Sequence, residues 1–204
     1  MRINEQITRI KKLINELSPD SSGFQELYDL VAHYPEVLVH LNFKTMKDLR
    51  DYMLDADYSE FQQIRNEVEF FINRRKRYLK AEMDEIERVV QYLNREEGID
   101  VGVNDVYNAF DDASEVNLPT KVLMNLENTE CNTIKKGEMK KVIALAKKYN
   151  KQNPLELKKA LESGDYKRPL ILKFGDRYHL VAGNTRLCTA MAMGMKPKVL
   201  IGEI

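Results

Sequence analysis

The sequence has 204 residues, of which 43% are hydrophobic and 31% charged; this suits one large domain or two small ones and excludes a disordered chain. No apolar run approaches the roughly 20 residues that span a bilayer, and the charged start MRINEQITRIKKLINELS has no apolar core of a signal peptide, so no membrane partner and a cytoplasmic location are expected. The net charge of zero hides an asymmetry: residues 1–115 hold 15 Lys+Arg against 24 Asp+Glu, net −9, and residues 116–204 hold 17 against 8, net +9. A basic segment attracts phosphates, whether on a nucleotide or on DNA or RNA. The acidic segment either packs beside it and lowers its field, or serves a different partner.

Residues 1–115 are expected to be a helical domain. Ile3, Ile7, Ile10, Leu13, Ile14 and Leu17 recur at helical spacing before Pro19. Ser22 is a candidate N-cap for a helix burying Phe24, Leu27, Leu30 and Val31, and Thr45 for one burying Met46, Leu49 and Met53. Ser59 is a candidate cap for a long segment, residues 59–97, that holds neither Pro nor Gly. It reads as one long helix, which could pair as a coiled coil in a homo-oligomer or dock a protein partner, or as a hairpin broken between Lys80 and Asp84. The run Arg74, Arg75, Lys76 and Arg77 before Tyr78 reads as a solvated helix face or as a nucleic-acid contact.

Residues 117–204 change texture. A strand is expected over Thr120–Leu126, a helix over Gly137–Tyr149, and a short helix from Asn153-Pro154 to Leu161. Two apolar runs, PLILKF ending at Phe174 and RYHLVA ending at Ala182, are joined by Gly175-Asp176 and predict a β-hairpin. A helix follows Gly183, and KVLIGEI predicts a last strand. Cys131 and Cys188 lack metal-ligand spacing and read as reduced thiols. The fold class is therefore α+β, an N-terminal helical region followed by a small mixed α/β domain.

The chemistry concentrates where a strand runs through Gly183 into a helix. A helix N-terminus leaves about four backbone N–H groups unpaired and carries partial positive charge. Glycine lets a ligand approach the backbone closely. Asn184 and Thr185 can cap the helix or bond an oxyanion, and Arg186 can grip phosphate through two N–H groups.

The order helix, apolar strand, Gly-containing hairpin, strand, Gly-x-x-Arg box, Ala-rich helix and final strand resembles the ParB/sulfiredoxin superfamily. Here the order is GEMKKVIALAKKY, RPLILKF, GD, RYHLVAGNTR, LCTAMAMGM and KPKVLIGEI. The resemblance implies that Gly183 and Arg186 sit on the phosphates of ATP or another NTP, with Asn184 and Thr185 in the variable places. Sulfiredoxins have a reactive cysteine directly after the glycine; Asn184 stands there, so sulfinic-acid reduction is not expected. The chromosome-partition members have Glu-Arg where this sequence has Asn184-Thr185.

A phosphotransferase or hydrolase also needs a carboxylate for acid–base work or for Mg²⁺. Acidic residues are few in the basic segment: Glu127 and Glu130 in LENTECN, then Glu138 and Asp176. Glu130 is the first candidate for catalysis or metal binding and Glu127 the second. His179, on the strand entering the box, reads as a core or surface histidine or as a base, and with Lys173 and Arg168 it is a further phosphate candidate. The expectations are an NTP-dependent phosphotransferase or hydrolase using Mg²⁺, a nucleic-acid-binding or nuclease-like regulator, or a scaffold with a degenerate nucleotide domain.

Overall fold

The computed structural model describes residues 22–204 and is an α+β protein with an N-terminal helical region and a five-stranded mixed sheet. The expected helix over residues 3–17 lies outside the described residues. Contacts divide the chain into two compact units, residues 1–76 and 77–204.

The first unit is built from α1 (Ser22–His33), α2 (Glu36–His40), α3 (Met46–Asp55) and most of α4 (Tyr58–Ala81). Its core holds Phe24, Leu27, Val31, Leu49, Met53, Phe61, Ile64 and Val68. Thr45 caps α3 as its sequence predicts: its hydroxyl accepts from the Asp48 N–H at 3.1 Å, and the Asp48 carboxylate accepts from the Thr45 N–H at 2.9 Å. Helix α4 begins at Tyr58, so its cap is Asp57 rather than the expected Ser59. Asp57 and Glu60 exchange the same reciprocal pair of bonds at 2.9 Å, which leaves Ser59 inside the first turn. The basic run does not form a uniform solvated face. Arg75 is buried in an ion pair with Glu36 and lies over the Tyr34 ring, while Arg74, Lys76 and Arg77 are exposed.

The second unit begins in the last turn of α4. The chain breaks at Glu82, inside the expected window, and resumes as α5 (Met83–Tyr92), followed by a wider π-type turn over Leu93–Glu97. Helix α6 (Val103–Asp111) leads to β1 (Glu115–Asn117). The strand expected over 120–126 is instead α7 (Thr120–Met124), followed by the short β2 (Leu126–Glu127). Leu118, Val122 and Leu126 are buried while Thr120 and Met124 between them are exposed, so burial repeats every four residues and not every two as in a half-buried strand. Then come a 3₁₀ turn at Cys131–Thr133, α8 (Met139–Lys148), α9 (Pro154–Ser163), β3 (Leu170–Phe174), β4 (Arg177–Ala182), α10 (Asn184–Met193) and β5 (Lys198–Glu203). Asn153 caps α9, its side chain accepting from the Leu155 N–H at 3.0 Å.

The strand order is β1-β5-β3-β4-β2. The predicted hairpin pairs β3 and β4 antiparallel, with Phe174 opposite Arg177 and Leu172 opposite His179. β5 runs parallel to β3, and the β2 stub parallel to β4. Each face of the sheet has its own core. Leu170, Leu172, Phe174, Val181 and Leu200 pack with Ile86, Val89 and Val90 of α5 and Val106 and Phe110 of α6. Ile171, Leu180 and Val199 pack with Val142 of α8 and Leu187 and Ala192 of α10. The second unit is thus three layers, helix–sheet–helix.

The sequence changes texture at 115–117, but packing divides the chain at Lys76–Arg77. The reason is hydrophobic: α5 and α6 carry apolar stripes that fit one face of the sheet and cover it. At Gly202 the approach is so close that an added Cβ would lie 3.0 Å from the Ala109 carbonyl group of α6. The division also changes the charge pattern. Residues 77–204 hold 21 Lys+Arg and 19 Asp+Glu, net +2, so the basic segment is neutralised by the acidic helices packed within its own unit.

A candidate site at the N-terminus of helix α10

Gly183 makes the turn from β4 into α10. Its φ is +94°, in the region that favours glycine, and an added Cβ would meet the Pro169 Cα at 2.9 Å. Both constraints require a residue without a side chain. The turn opens α10 onto a cleft of about 760 Å³. Asn184, Thr185 and Arg186 line it with Glu82 and Glu85 at the start of α5, Asn128 to Glu130 of the β2 loop, and Tyr149, Lys151 and Gln152 after α8.

Asn184 organises one side. Its Nδ2 donates to Glu130 Oε2 at 3.0 Å, and its Oδ1 accepts from the Thr129 hydroxyl at 2.7 Å. These bonds hold the Glu130 carboxyl below the ordinary carboxylate range; the Asn184 amide is the main cause, and the Tyr149 hydroxyl adds to it. Asn128 adopts a left-handed φ of +57° and donates to the Leu180 carbonyl at 2.9 Å, fixing the β2 loop to β4.

Beneath Asn184 lies a disulfide. The two cysteines, expected as reduced thiols, are paired with their Cα atoms 4.7 Å apart. Their separation of 57 positions hid this in the sequence, because only the α10–β2-loop packing brings them together. The Cys131 sulfur sits 3.1 Å from Asn184 Oδ1. A smaller pocket of about 60 Å³, lined by Val142, Leu145, Ala146 and Cys188, shares Tyr149, Lys151, Asn184 and Thr185 with the cleft.

Arg186 organises the other side. Its Nη2 pairs with Glu82 Oε1 at 2.7 Å, and its Nη1 donates to the Lys167 carbonyl at 3.0 Å and the Tyr78 hydroxyl at 3.2 Å. The side chains of Arg186 and Glu82 are only 13% and 15% exposed. Burial pushes the Tyr78 phenol up to about 12, against the opposing pull of Arg186. Tyr78 in turn donates to the Arg168 carbonyl.

The remaining sequence candidates are not brought to the cleft. Arg177 bonds both Glu127 oxygens, at 2.8 and 2.9 Å, and holds that carboxyl below the ordinary range. His179 stacks on Tyr92 with ring centroids 5.0 Å apart, and its Nδ1 lies 3.8 Å from Glu127 Oε2. Burial pushes its pKa down, and the half-buried ring faces α5 rather than the cleft. Lys173 pairs with Glu203 across β3 and β5. Arg168 pairs with Glu115 at 3.0 Å. In β4, Leu180 faces the α10 core while His179 faces α5; the end of the strand, Leu180 to Ala182, reaches the cleft and His179 does not.

Sequence reasoning missed Glu82 and Tyr78. Their only sequence signal was position: Glu82 falls in the window where the long helix was expected to break, and Tyr78 follows the basic run. Among the described residues, no group of three or more His, Cys, Asp and Glu could hold a metal. Two carboxylates, Glu130 on one side and Glu82 on the other, stand on the wall of the cleft, the residue type that would hold Mg²⁺ beside phosphate oxygens.

The chain matches no protein-family model, no curated protein and no solved structure. No described helix is long and apolar enough to cross a membrane.

Proposed function

We propose that the protein binds a nucleoside triphosphate in the cleft at the N-terminus of α10 and acts as an NTP-dependent phosphotransferase or hydrolase, in keeping with the resemblance of its Gly-x-x-Arg box to the ParB/sulfiredoxin superfamily. The observation that carries this reading is the joint placement of Gly183, Asn184, Thr185, Arg186 and Glu130 on the wall of one cleft of about 760 Å³. A cleft of that volume is within the range of small-molecule sites. The Gly183 turn keeps side chains away from the backbone, the first N–H groups of α10 and the Arg186 guanidinium favour phosphate oxygens, and both stabilise charge that develops during transfer.

Glu130 supplies the carboxylate. A carboxylate held ionised below its ordinary range suits a metal ligand better than a proton acceptor, because a general base works best with a pKa near the operating pH. Glu130 is therefore assigned first to Mg²⁺, which would neutralise charge on the phosphates when bound.

The test is calorimetry with ATP, CTP and GTP in the presence of Mg²⁺. Wild type is expected to bind at least one of them. Arg186→Ala is expected to abolish binding while keeping a cooperative thermal transition, and Glu130→Gln to bind but not turn over. Absence of binding by any nucleotide would overturn the reading. The basic segment would then be titrated with DNA and RNA at several salt concentrations, although a net charge of +2 for residues 77–204 gives the nucleic-acid reading little support.

A further inference from the structure

In this structure the guanidinium that would grip phosphate already holds an anion. Arg186 Nη2 bonds Glu82 Oε1 at 2.7 Å, and Nη1 is shared between the Lys167 carbonyl and the Tyr78 hydroxyl. A carboxylate and a phosphate compete for the same planar fork of N–H donors. A phosphate entering the cleft must take Arg186 from Glu82.

Glu82 cannot withdraw far once displaced. Its backbone is fixed at the helix break: its N–H donates to the Leu79 carbonyl at 3.1 Å, and its carbonyl accepts from Glu85 and Ile86 at 3.0 and 3.1 Å. The released carboxylate therefore stays on the cleft wall beside the incoming phosphate, in a partly buried setting where like charges repel more strongly than in water. Glu85 lines the same cleft but has a cation of its own, Arg88 at 3.0 Å. The arrangement thus contains one carboxylate whose counter-charge the ligand itself removes.

Resting on the nucleotide reading above, we propose that Glu82 makes polyphosphate binding conditional on a divalent cation. Bound Mg²⁺ would be held by the released Glu82 and would supply the counter-charge it loses, so that Arg186 changes partner without leaving two bare anions side by side. Without it, polyphosphate meets an unscreened carboxylate and is rejected. Glu82 then acts as a specificity-determining residue that selects the metal complex of the ligand over the free anion.

The experiment is calorimetry with ATP and with inorganic tripolyphosphate, each in Mg²⁺ and in EDTA, on the full chain. Wild type is expected to bind at least tenfold more weakly in EDTA, within the roughly 5- to 150-fold span of ordinary coupling between sites. Glu82→Gln, whose amide oxygen can still accept from Arg186, is expected to bind in EDTA about as well as wild type does in Mg²⁺. Glu85→Gln and the charge-conserving Glu82→Asp should keep the metal dependence. Should Glu82→Gln fail to fold, Glu82→Asp together with Glu82→Ala provides the same comparison of charge kept and charge lost. Wild-type binding with a metal dependence unchanged by loss of the Glu82 charge would overturn this proposal and leave the nucleotide reading intact. No binding of either ligand by any variant in either buffer would overturn both.

Discussion

Asn184 and Glu130, 54 residues apart in sequence, are joined by a 3.0 Å bond from Nδ2 to Oε2, and that bond ties the first residue of α10 to the loop that follows β2. It fixes the carboxylate's charge as well as its position, because an amide donor favours the ionised form. Removing the donor should therefore be visible in a titration. Asn184→Ala is expected to raise the Glu130 pKa toward its ordinary value and to lower stability by about 1 kcal/mol, the usual net worth of such a bond. Carboxyl-carbon NMR titration checks the first effect and urea denaturation the second. The linkage has a definite sign: the stability that Glu130 contributes is present above its unfolded pKa and is lost as pH falls through the lowered folded value.

Gly183 is the least replaceable residue of the site. Gly183→Ala places a Cβ 2.9 Å from the Pro169 Cα on a backbone at φ +94°. The backbone alone costs about 1–3 kcal/mol, and the contact with Pro169 adds to it. Thermal unfolding should show the loss. A substitution without effect would mean that the turn relaxes freely and does not hold the cleft open.

The disulfide should matter for stability. Cys131 and Cys188 close a loop spanning 57 positions, for which the chain-entropy account gives about 4 kcal/mol. Denaturation with and without a reductant measures this, and the double variant Cys131→Ala with Cys188→Ala should match the reduced protein. Alkylation of both thiols in unfolded, unreduced protein would show that the bond had not formed.

His179 predicts a pH dependence. Burial lowers its folded pKa, so the unfolded chain takes up the proton first as pH falls. Stability is intact above the unfolded value of about 6.5 and declines as pH drops through it toward the folded value. His179→Phe should flatten the stability profile between pH 7.5 and 5.5 in urea titrations. An unchanged slope would place the titration elsewhere.

What the sequence made legible was local. The Gly175-Asp176 hairpin, the helix start at Asn153-Pro154, the Thr45 cap and the strand–Gly183–helix turn are each written in adjacent residues, and each forms as its pattern predicts. Glu130 stands out in the sequence as one of few acids in the basic segment, but nothing local links LENTECN to the box or pairs it with Asn184. The unread features were long-range. Glu82 reaches Arg186 across 104 positions, Arg177 reaches Glu127 across 50, and the cysteines meet only after the fold forms. The strand expected at Thr120 failed for a local reason, because a short apolar run bounded by Pro119 satisfies either period until its burial is known.

The packing of α5 and α6 on the sheet bears on where the chain can be cut. Residues 116–204 contain every element of the Gly-x-x-Arg arrangement and would be the natural choice for excision. Cut there, the sheet would present Leu170, Leu172, Phe174, Val181 and Leu200 to water as a bare apolar surface, and the edge strand beside β5 would lose Glu115. It would also shed the acidic helices, leaving an excess of nine positive charges beside that surface. Such a fragment would stick to itself and to any polyanion, and an assay on it would report binding that comes from its own excess charge. A fragment begun before Arg77 keeps its own cover and its own counter-charge.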